Sequence, residues 1–312
     1  RTARPLLSRA AHAGRYRLCD DELSRSAQVT TAEEPRRKYL DLIAKIILNE
    51  INPENGARIK YLLDAVCEAE PGRDRNDVLR TLVGLHNSDE RVRAALEDLY
   101  RPRHWWTKTL GFPFSMIGPK RLANTRDAAE TVIAEEIPGA MVETGVWRGG
   151  ACIMMKAVMS AYGVSRPLYV CDSFAGLPKL EEGPDAVLTL DENPLLTAPL
   201  EDVRSHFERL DLLDDDVHFV KGWFEDTMPE LARNGPETIS VLRLDGDYYH
   251  STMVVLENLY DRVSAGGFVI IDDYHAYEQC AQAVNEYRAA KCISDEMIEI
   301  DGVGIYWRVG AT

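Results

Sequence analysis

The chain has 312 residues, 45% of them hydrophobic, and carries 36 basic against 51 acidic side chains, a formal net charge of −15. That length supports one large domain or two small ones, and that apolar share supports a packed core rather than a disordered chain. The acidic balance argues against nucleic acid or an anionic membrane as the main partner. No apolar run approaches the ~20 residues of a membrane span.

Residues 1–30 show no hydrophobic period and read as a flexible tail. Residues 1–19 hold five Arg and no acid, a weak transit-peptide signature; a trimmed or flexible terminus is the favoured reading. From Tyr39 to Ile51, apolar residues recur at steps of three and four, the stripe of an amphipathic helix ended by Pro53 and Gly56. Segments 59–66, 78–85 and 92–100 read as three more helices, so residues 31–105 form an all-helical extension. Its apolar stripes require burial on the rest of the chain or on another subunit. A homo-oligomeric contact is one of these two expectations.

Residues 106–124 are apolar and punctuated by Gly and Pro, as in a packing loop or a lid over a site. A helix follows over 125–136. Strands are expected at 140–144, 167–172, 216–221, 239–245, 267–272 and 302–308, with helices between most of them. Residues 297–300 pair with the last strand as a closing hairpin. Residues 177–216, with 12 Asp and Glu, read as an exposed, partly helical insertion. The alternation predicts an α/β fold, a Rossmann-like doubly wound sheet that is mostly parallel with an antiparallel edge hairpin. The six cysteines show no zinc-ligand spacing, and Cys152 and Cys171 lie in apolar segments. The expected compartment is a reducing cytoplasm.

In such sheets, ligands collect at the carboxyl ends of the strands, and four strand ends carry chemistry. The first is Met141-Val142-Glu143-Thr144-Gly145-Val146-Trp147, running through Gly149 into a helix. Its glycines let a ligand approach the backbone at a helix N-terminus. Gly145 and Gly149 are four apart, so a pyrophosphate fingerprint is weak. A nucleoside without phosphates, held partly by Glu143, fits better; the bland alternative is a tight turn with no ligand. The second is Asp172-Ser173-Phe174, where an acid at a strand end is the residue type that takes ribose hydroxyls. The third is Trp223-Phe224, which can stack on adenine or simply fill the core. The fourth joins Asp245 and Asp247 to Asp272 and Asp273. Carboxylates gathered at one edge repel each other unless a hard divalent cation sits among them. Arg243 and Lys221 are the alternative neutralisers, and Asp247 is an alternative helix cap. His250 and His275 flank the site as substrate-contacting candidates at most.

These motifs, in this order, resemble the macrocin O-methyltransferase family. The matching strings are SMIGPKRL (115–122), PGAMVETGVWRGGA (138–151), DSFAGLP (172–178), VKGWFEDT (220–227), LRLDGDYYHST (242–252), GGFVIIDDY (266–274) and DGVGIYW (301–307). The resemblance implies a methyltransferase domain over residues 106–312 that moves a methyl from S-adenosylmethionine to a hydroxyl of a small molecule, a glycoside above all. It implies that Glu143, Thr144, Gly145, Val146 and Trp147 line the methionine part of the cofactor. Asp172 would hold its ribose, Ser173, Phe174 and Gly176 would also contact the cofactor, and Trp223 and Phe224 would lie near adenine. Met116 and Ile117 would belong to a lid. Asp245, Asp272 and Asp273 would hold Mg²⁺, with Asp245 also touching the cofactor and serving as base. The chain departs from the family at His250, where Glu is usual, and at Ala281, where Arg is usual; both bear on the acceptor. Two other readings stay open: a nicotinamide-dependent oxidoreductase, and a non-catalytic S-adenosylmethionine-binding assembly protein.

Overall fold

Seven short runs of apolar and β-branched residues become strands: β1 Ala140–Thr144, β2 Leu168–Asp172, β3 Val217–Lys221, β4 Ile239–Leu244, β5 Val263–Ile271, β6 Ile298–Glu299 and β7 Ile305–Arg308. The computed structural model describes residues 33–51, 113–192 and 196–310. The strands form one sheet in the order β3-β2-β1-β4-β5-β7-β6. The first five are parallel, and β7 runs antiparallel between β5 and β6. β1 and β4, at the centre, are buried along their whole length, as expected for parallel strands covered on both faces.

Side chains alternate between the two covering layers with the period of two that strands impose. Met141, Val170, Val241 and Ile270 face one core, with Leu40, Leu122, Met154 and Phe207. Val142, Cys171, Leu242 and Val269 face the other, with Met228, Leu256 and Val284. The first layer is built by α1 Glu33–Ile47, α2 Gly118–Ala134, α3 Gly150–Tyr162 and α4 Leu200–Arg209. The second is built by α5 Phe224–Asn234, α6 Tyr249–Leu259 and α7 Glu278–Ala290. This is the doubly wound arrangement expected from the sequence.

Three elements depart from expectation. The helix expected at Thr125 begins at Gly118, because Pro119 occupies the first turn, where its missing N–H costs nothing. The supposed exposed insertion contains α4, whose Val203 and Phe207 are fully buried; most of its acids lie on the outer face, while Asp185 and Asp202 are buried. β5 starts at Val263, ahead of the Gly266-Gly267 pair. The first helix ends at Ile47, and Asn49 follows in the left-handed region with φ 56°, a conformation Asn tolerates at helix ends. α1 buries Leu40, Ile43 and Ile47, and Arg36 lies over the Tyr162 ring of α3 at 4.0 Å. The described part of the extension therefore packs on the sheet's own helices. The helices expected at 59–66, 78–85 and 92–100 lie outside the described residues.

Candidate active site

The sheet reverses direction of winding between β1 and β4, and the crevice lies where such a switch point predicts. Backbone pairing continues one residue past the strand ends. Gly145 N–H donates to Cys171 O at 2.8 Å, Asp245 N–H to Thr144 O at 2.8 Å and Asp272 N–H to Leu244 O at 2.9 Å. This places Gly145 (φ +84°) so tightly that an added Cβ would lie 1.7 Å from the Asp245 carbonyl oxygen. Only glycine fits that seam.

A cavity of about 370 Å³ opens above these ends. Of the residues singled out from sequence, Met116, Ile117, Glu143, Gly145, Val146, Trp147, Asp172, Ser173, Gly176, Trp223, Phe224, Asp245, Asp272 and Asp273 line it. Thr144 and Phe174 do not. Thr144 is buried, with its hydroxyl 3.4 Å from the Arg243 carbonyl. The Phe174 ring packs against Phe219 at 6.5 Å. His250 and His275 also lie off the cavity wall; both are on the surface, His250 Nε2 lying 3.9 Å from Glu225 Oε2.

At the β1–β2 end, Asp172 organises two turns. Its Oδ2 accepts N–H bonds from Val146 (2.8 Å) and Trp147 (3.3 Å), and its Oδ1 accepts one from Phe174 (2.8 Å). Burial pushes this carboxyl up, and the three backbone donors pull against that rise. Ser173 Oγ donates to Gly176 O at 2.6 Å and accepts from Ala175 N–H at 3.0 Å, folding the next turn toward the cavity.

The β4–β5 end is ionic. Arg243 is fully buried. Its Nη1 donates to Glu143 Oε1 at 2.6 Å and to Asp245 Oδ2 at 2.8 Å, and its Nη2 donates to Asp272 Oδ1. Burial opposes the charge on Arg243, but Asp272, Glu143 and Asp245 override it and hold the guanidinium well above its ordinary range. Arg243, not Lys221, is thus the internal neutraliser; Lys221 is exposed at the end of β3. Glu143 Oε2 accepts from Cys152 Sγ at 2.7 Å, and burial pushes Glu143 up to about 7 despite Arg243.

The acids still outnumber the arginines. Ligand atoms of Asp245, Asp272 and Asp273 lie within 4.8 Å of one another. Asp273 Oδ2 is buried with no hydrogen-bond partner. Burial, then the charges of Asp245, Asp247 and Asp272, push Asp273 well above the usual carboxylate range. An orphaned carboxylate oxygen beside two converging carboxylates is the donor set a hard divalent cation takes. Asp247 lines the cavity with φ 58° and is no helix cap. That role belongs to Asp185, whose carboxylate accepts the Tyr249 and His250 N–H groups at 2.7 and 2.8 Å.

Two residues of this end lie within the strings SMIGPKRL and DGVGIYW but were not singled out as site residues from the sequence. Arg121 of α2 donates from Nη1 to Asp272 Oδ2 and from Nε to Asp301 Oδ2 at 3.0 Å. Asp301 Oδ1 in turn accepts N–H bonds from Val303 and Gly304, both at 3.1 Å. Pro119 was the available cue to a helix start that would have put Arg121 in a first turn.

Comparison with known proteins agrees with this geometry. The family model described as Macrocin-O-methyltransferase (TylF) matches residues 36–309. The 8-demethyl-8-(2,3-dimethoxy-alpha-L-rhamnosyl)-tetracenomycin-C 4'-O-methyltransferase of Streptomyces olivaceus is 42% identical over 284 residues, 88% of this chain and 94% of that protein. The demethyldecarbamoylnovobiocin O-methyltransferase of Streptomyces niveus is 47% identical over 199 residues, 62% of this chain and 75% of its own. The solved structure of the O-methyltransferase NovP superposes with a TM-score of 0.67 at 38% identity, covering 88% of this chain and 99% of that one. A seven-stranded switch-point sheet, a cavity at its carboxyl edge and a match along nearly all of the described chain lead to one conclusion: this protein belongs to the macrocin O-methyltransferase family and is an O-methyltransferase.

Proposed function

We propose that this enzyme methylates a sugar hydroxyl of a glycosylated natural product, with S-adenosylmethionine as donor and Mg²⁺ held by Asp245, Asp272 and Asp273. The observation that carries the reading is the acid surplus at the β4–β5 end, with the orphaned Asp273 oxygen, in the same cavity as the Gly145 turn. The Streptomyces olivaceus relative is named for methylation of a rhamnosyl-bearing substrate, which supports a glycoside acceptor here.

The donor reading rests on charge. Among the described residues lining the cavity, Arg121 is the one Lys or Arg, against several acids. Such a wall suits a cationic sulfonium and is poorly suited to a pyrophosphate, which argues against a nicotinamide cofactor. Trp223 and Phe224 supply aromatic surface for a base, and Asp172 and the Gly176 turn flank a ribose. Bound S-adenosylmethionine would supply a methyl group open to displacement by an acceptor oxygen. Bound Mg²⁺ would lower the pKa of that hydroxyl and fix its position.

The chain's own groups do the rest. Asp245 accepts the hydroxyl proton, and Arg243, bonded to Asp245, holds it in place. Arg243 also fixes Glu143 and Asp272, so one buried guanidinium sets the geometry of three acids. The close contact of the Gly145 turn with the Asp245 carbonyl keeps donor end and acid end in fixed register, and orientation of this kind contributes much of the rate. Cys152, Cys171, Cys280 and Cys292 are free thiols, which supports a cytoplasmic setting.

The test is a titration of the purified chain with S-adenosylmethionine, S-adenosylhomocysteine and NAD, with MgCl₂ or with EDTA, followed by a methylation assay on glycosides. Binding of the first two and not NAD, with turnover lost in EDTA and restored by MgCl₂, is expected. Full turnover in excess EDTA would sink the cation, and NAD binding would sink the donor.

A further inference from the structure

Asp272 sits at the centre of the acid cluster, yet both of its oxygens are engaged by arginines. Oδ1 takes Arg243 Nη2 and Oδ2 takes Arg121 Nη1. The two arginines are not equivalent. Arg243 is completely buried, rises from β4 within the cluster and also serves Glu143 and Asp245. Arg121 comes from another wall. It stands on the first turns of α2, three residues beyond Gly118, after the segment Ser115–Ile117 that lines the cavity. Its side chain retains 14% exposure, and its Nε holds Asp301 in the turn between β6 and β7. Its aliphatic stem packs where a Cβ on Gly304 would come within 3.0 Å of it.

Arg121 therefore has an alternative partner already in hand. Asp301 stays bonded to it, and to the Val303 and Gly304 N–H groups, whatever becomes of Asp272. Arg243 has none, since every neighbour it neutralises belongs to the cluster.

We propose that Arg121 is a resident counter-cation: it holds Asp272 when the divalent ion is absent and competes with that ion for the carboxylate. This rests on the cation reading above. A cation near Asp272 lowers the affinity of the cluster for a second cation by direct repulsion, and burial weakens the solvent screening that would otherwise hide the effect. Arg121 acts through Asp272 and so is a positioning residue. It also links the α2 wall, which carries Met116 and Ile117 at the cavity, to the occupancy of the acid cluster.

The sign of the effect makes the inference testable. A residue that only supports the fold weakens cation binding when removed; a competitor strengthens it. The experiment measures Mg²⁺ affinity by calorimetry, and Mn²⁺ affinity by electron paramagnetic resonance, on the full chain and its Arg121→Gln and Arg121→Lys variants. Thermal unfolding is followed in EDTA and in MgCl₂. Arg121→Gln should bind either ion at least fivefold more tightly, and MgCl₂ should raise its Tm by more than it raises that of the unaltered chain. Arg121→Lys, which keeps the charge but lacks the fork that spans Asp272 and Asp301, should tighten ion binding by less than Arg121→Gln does. Equal or weaker binding by a folded Arg121→Gln variant would overturn the counter-cation role while leaving the cation reading intact. If Arg121→Gln does not fold, Arg121→Lys binding as weakly as a disrupted site would overturn it as well. No binding of Mg²⁺ or Mn²⁺ by the unaltered chain would overturn both.

Discussion

The two ends of the cavity are built on opposite principles. At the β1–β2 end, one carboxylate, Asp172, is met by three backbone N–H groups from the turns on either side of it, and Val146, Trp147, Leu177 and Gly176 supply apolar, aromatic and glycine wall beside the Ser173 hydroxyl. At the β4–β5 end, four acids (Glu143, Asp245, Asp272 and Asp301) share two arginines, Asp247 and Asp273 stand beside them, and the Asp273 Oδ2 has no hydrogen-bond partner. The first end is satisfied as it stands. The second stores repulsion that a bound cation would relieve. An enzyme organised this way presents a preformed seat for one ligand and an electrostatic demand for another.

The largest expected effect sharpens the acid end. Asp245→Asn keeps size and one oxygen ligand but removes the basicity, so kcat should fall by ~10²–10⁴-fold with S-adenosylhomocysteine affinity nearly unchanged by calorimetry. A near-wild-type kcat in a folded variant would refute Asp245 as base. Gly145→Ala strikes the seam between the ends. The added methyl meets the Asp245 backbone carbonyl, and stability should drop by about 3 kcal/mol or more in denaturant titrations. A loss confined to one ligand would show that the ends are less tightly joined than the contact implies.

Two substitutions then set the ends against each other. Asp273→Asn relieves a buried, unpartnered carboxylate and should raise Tm in EDTA, by about 1–3 kcal/mol of stability, while abolishing Mg²⁺ binding. Asp172→Ala removes an acceptor from three N–H groups and from the proposed ribose seat, so Tm should fall and S-adenosylhomocysteine should bind at least tenfold more weakly, charged-group hydrogen bonds being worth ~1.5–3 kcal/mol each. If both variants lose stability alike, the contrast between a satisfied end and a strained one fails.

The smallest effect concerns pH. His206 stacks on Phe114 at 4.4 Å, and its Nδ1 bonds the Arg148 carbonyl at 2.9 Å. Burial, then the charge of Arg148, lowers it from 6.5 to about 4, with Arg209 adding to the push. The unfolded chain therefore binds the extra proton between those values. The contribution of His206 is fully present above pH 6.5 and is lost as pH falls toward 4, about 1 kcal/mol being gone by pH 5.5. Thermal unfolding from pH 7 to 4.5 should be less steeply pH-dependent in His206→Gln than in the unaltered chain. Parallel curves would remove His206 from the account.

Much of this was legible because it is local. An apolar run followed by Gly or Asp is visible in any window, and so were the strand ends carrying Gly145, Asp172, Trp223, Asp245 and Asp272. The start of α2 was not, since Gly118-Pro119 reads as a loop until the helix beyond it is seen to need a first turn. The buried face of α4 was hidden under its own acids, because charge on the outer face dominates composition while two residues, Val203 and Phe207, decide the packing. Thr144 and Phe174 neighbour cavity residues in sequence but point away from it, as successive residues at a strand end or turn do.

What the sequence determined by itself is the alternation of strand and helix and the residue type at each strand end, since propensity, turn chemistry and hydrophobic period act over a few residues. Strand order, and with it the meeting of particular charges, was decided only by the tertiary structure. Arg243 and Glu143 are 100 positions apart and Arg121 and Asp272 are 151 apart. No local rule pairs them. They meet because β1 lies beside β4, β4 beside β5, and α2 packs over that edge, an arrangement fixed by burying two apolar layers at once.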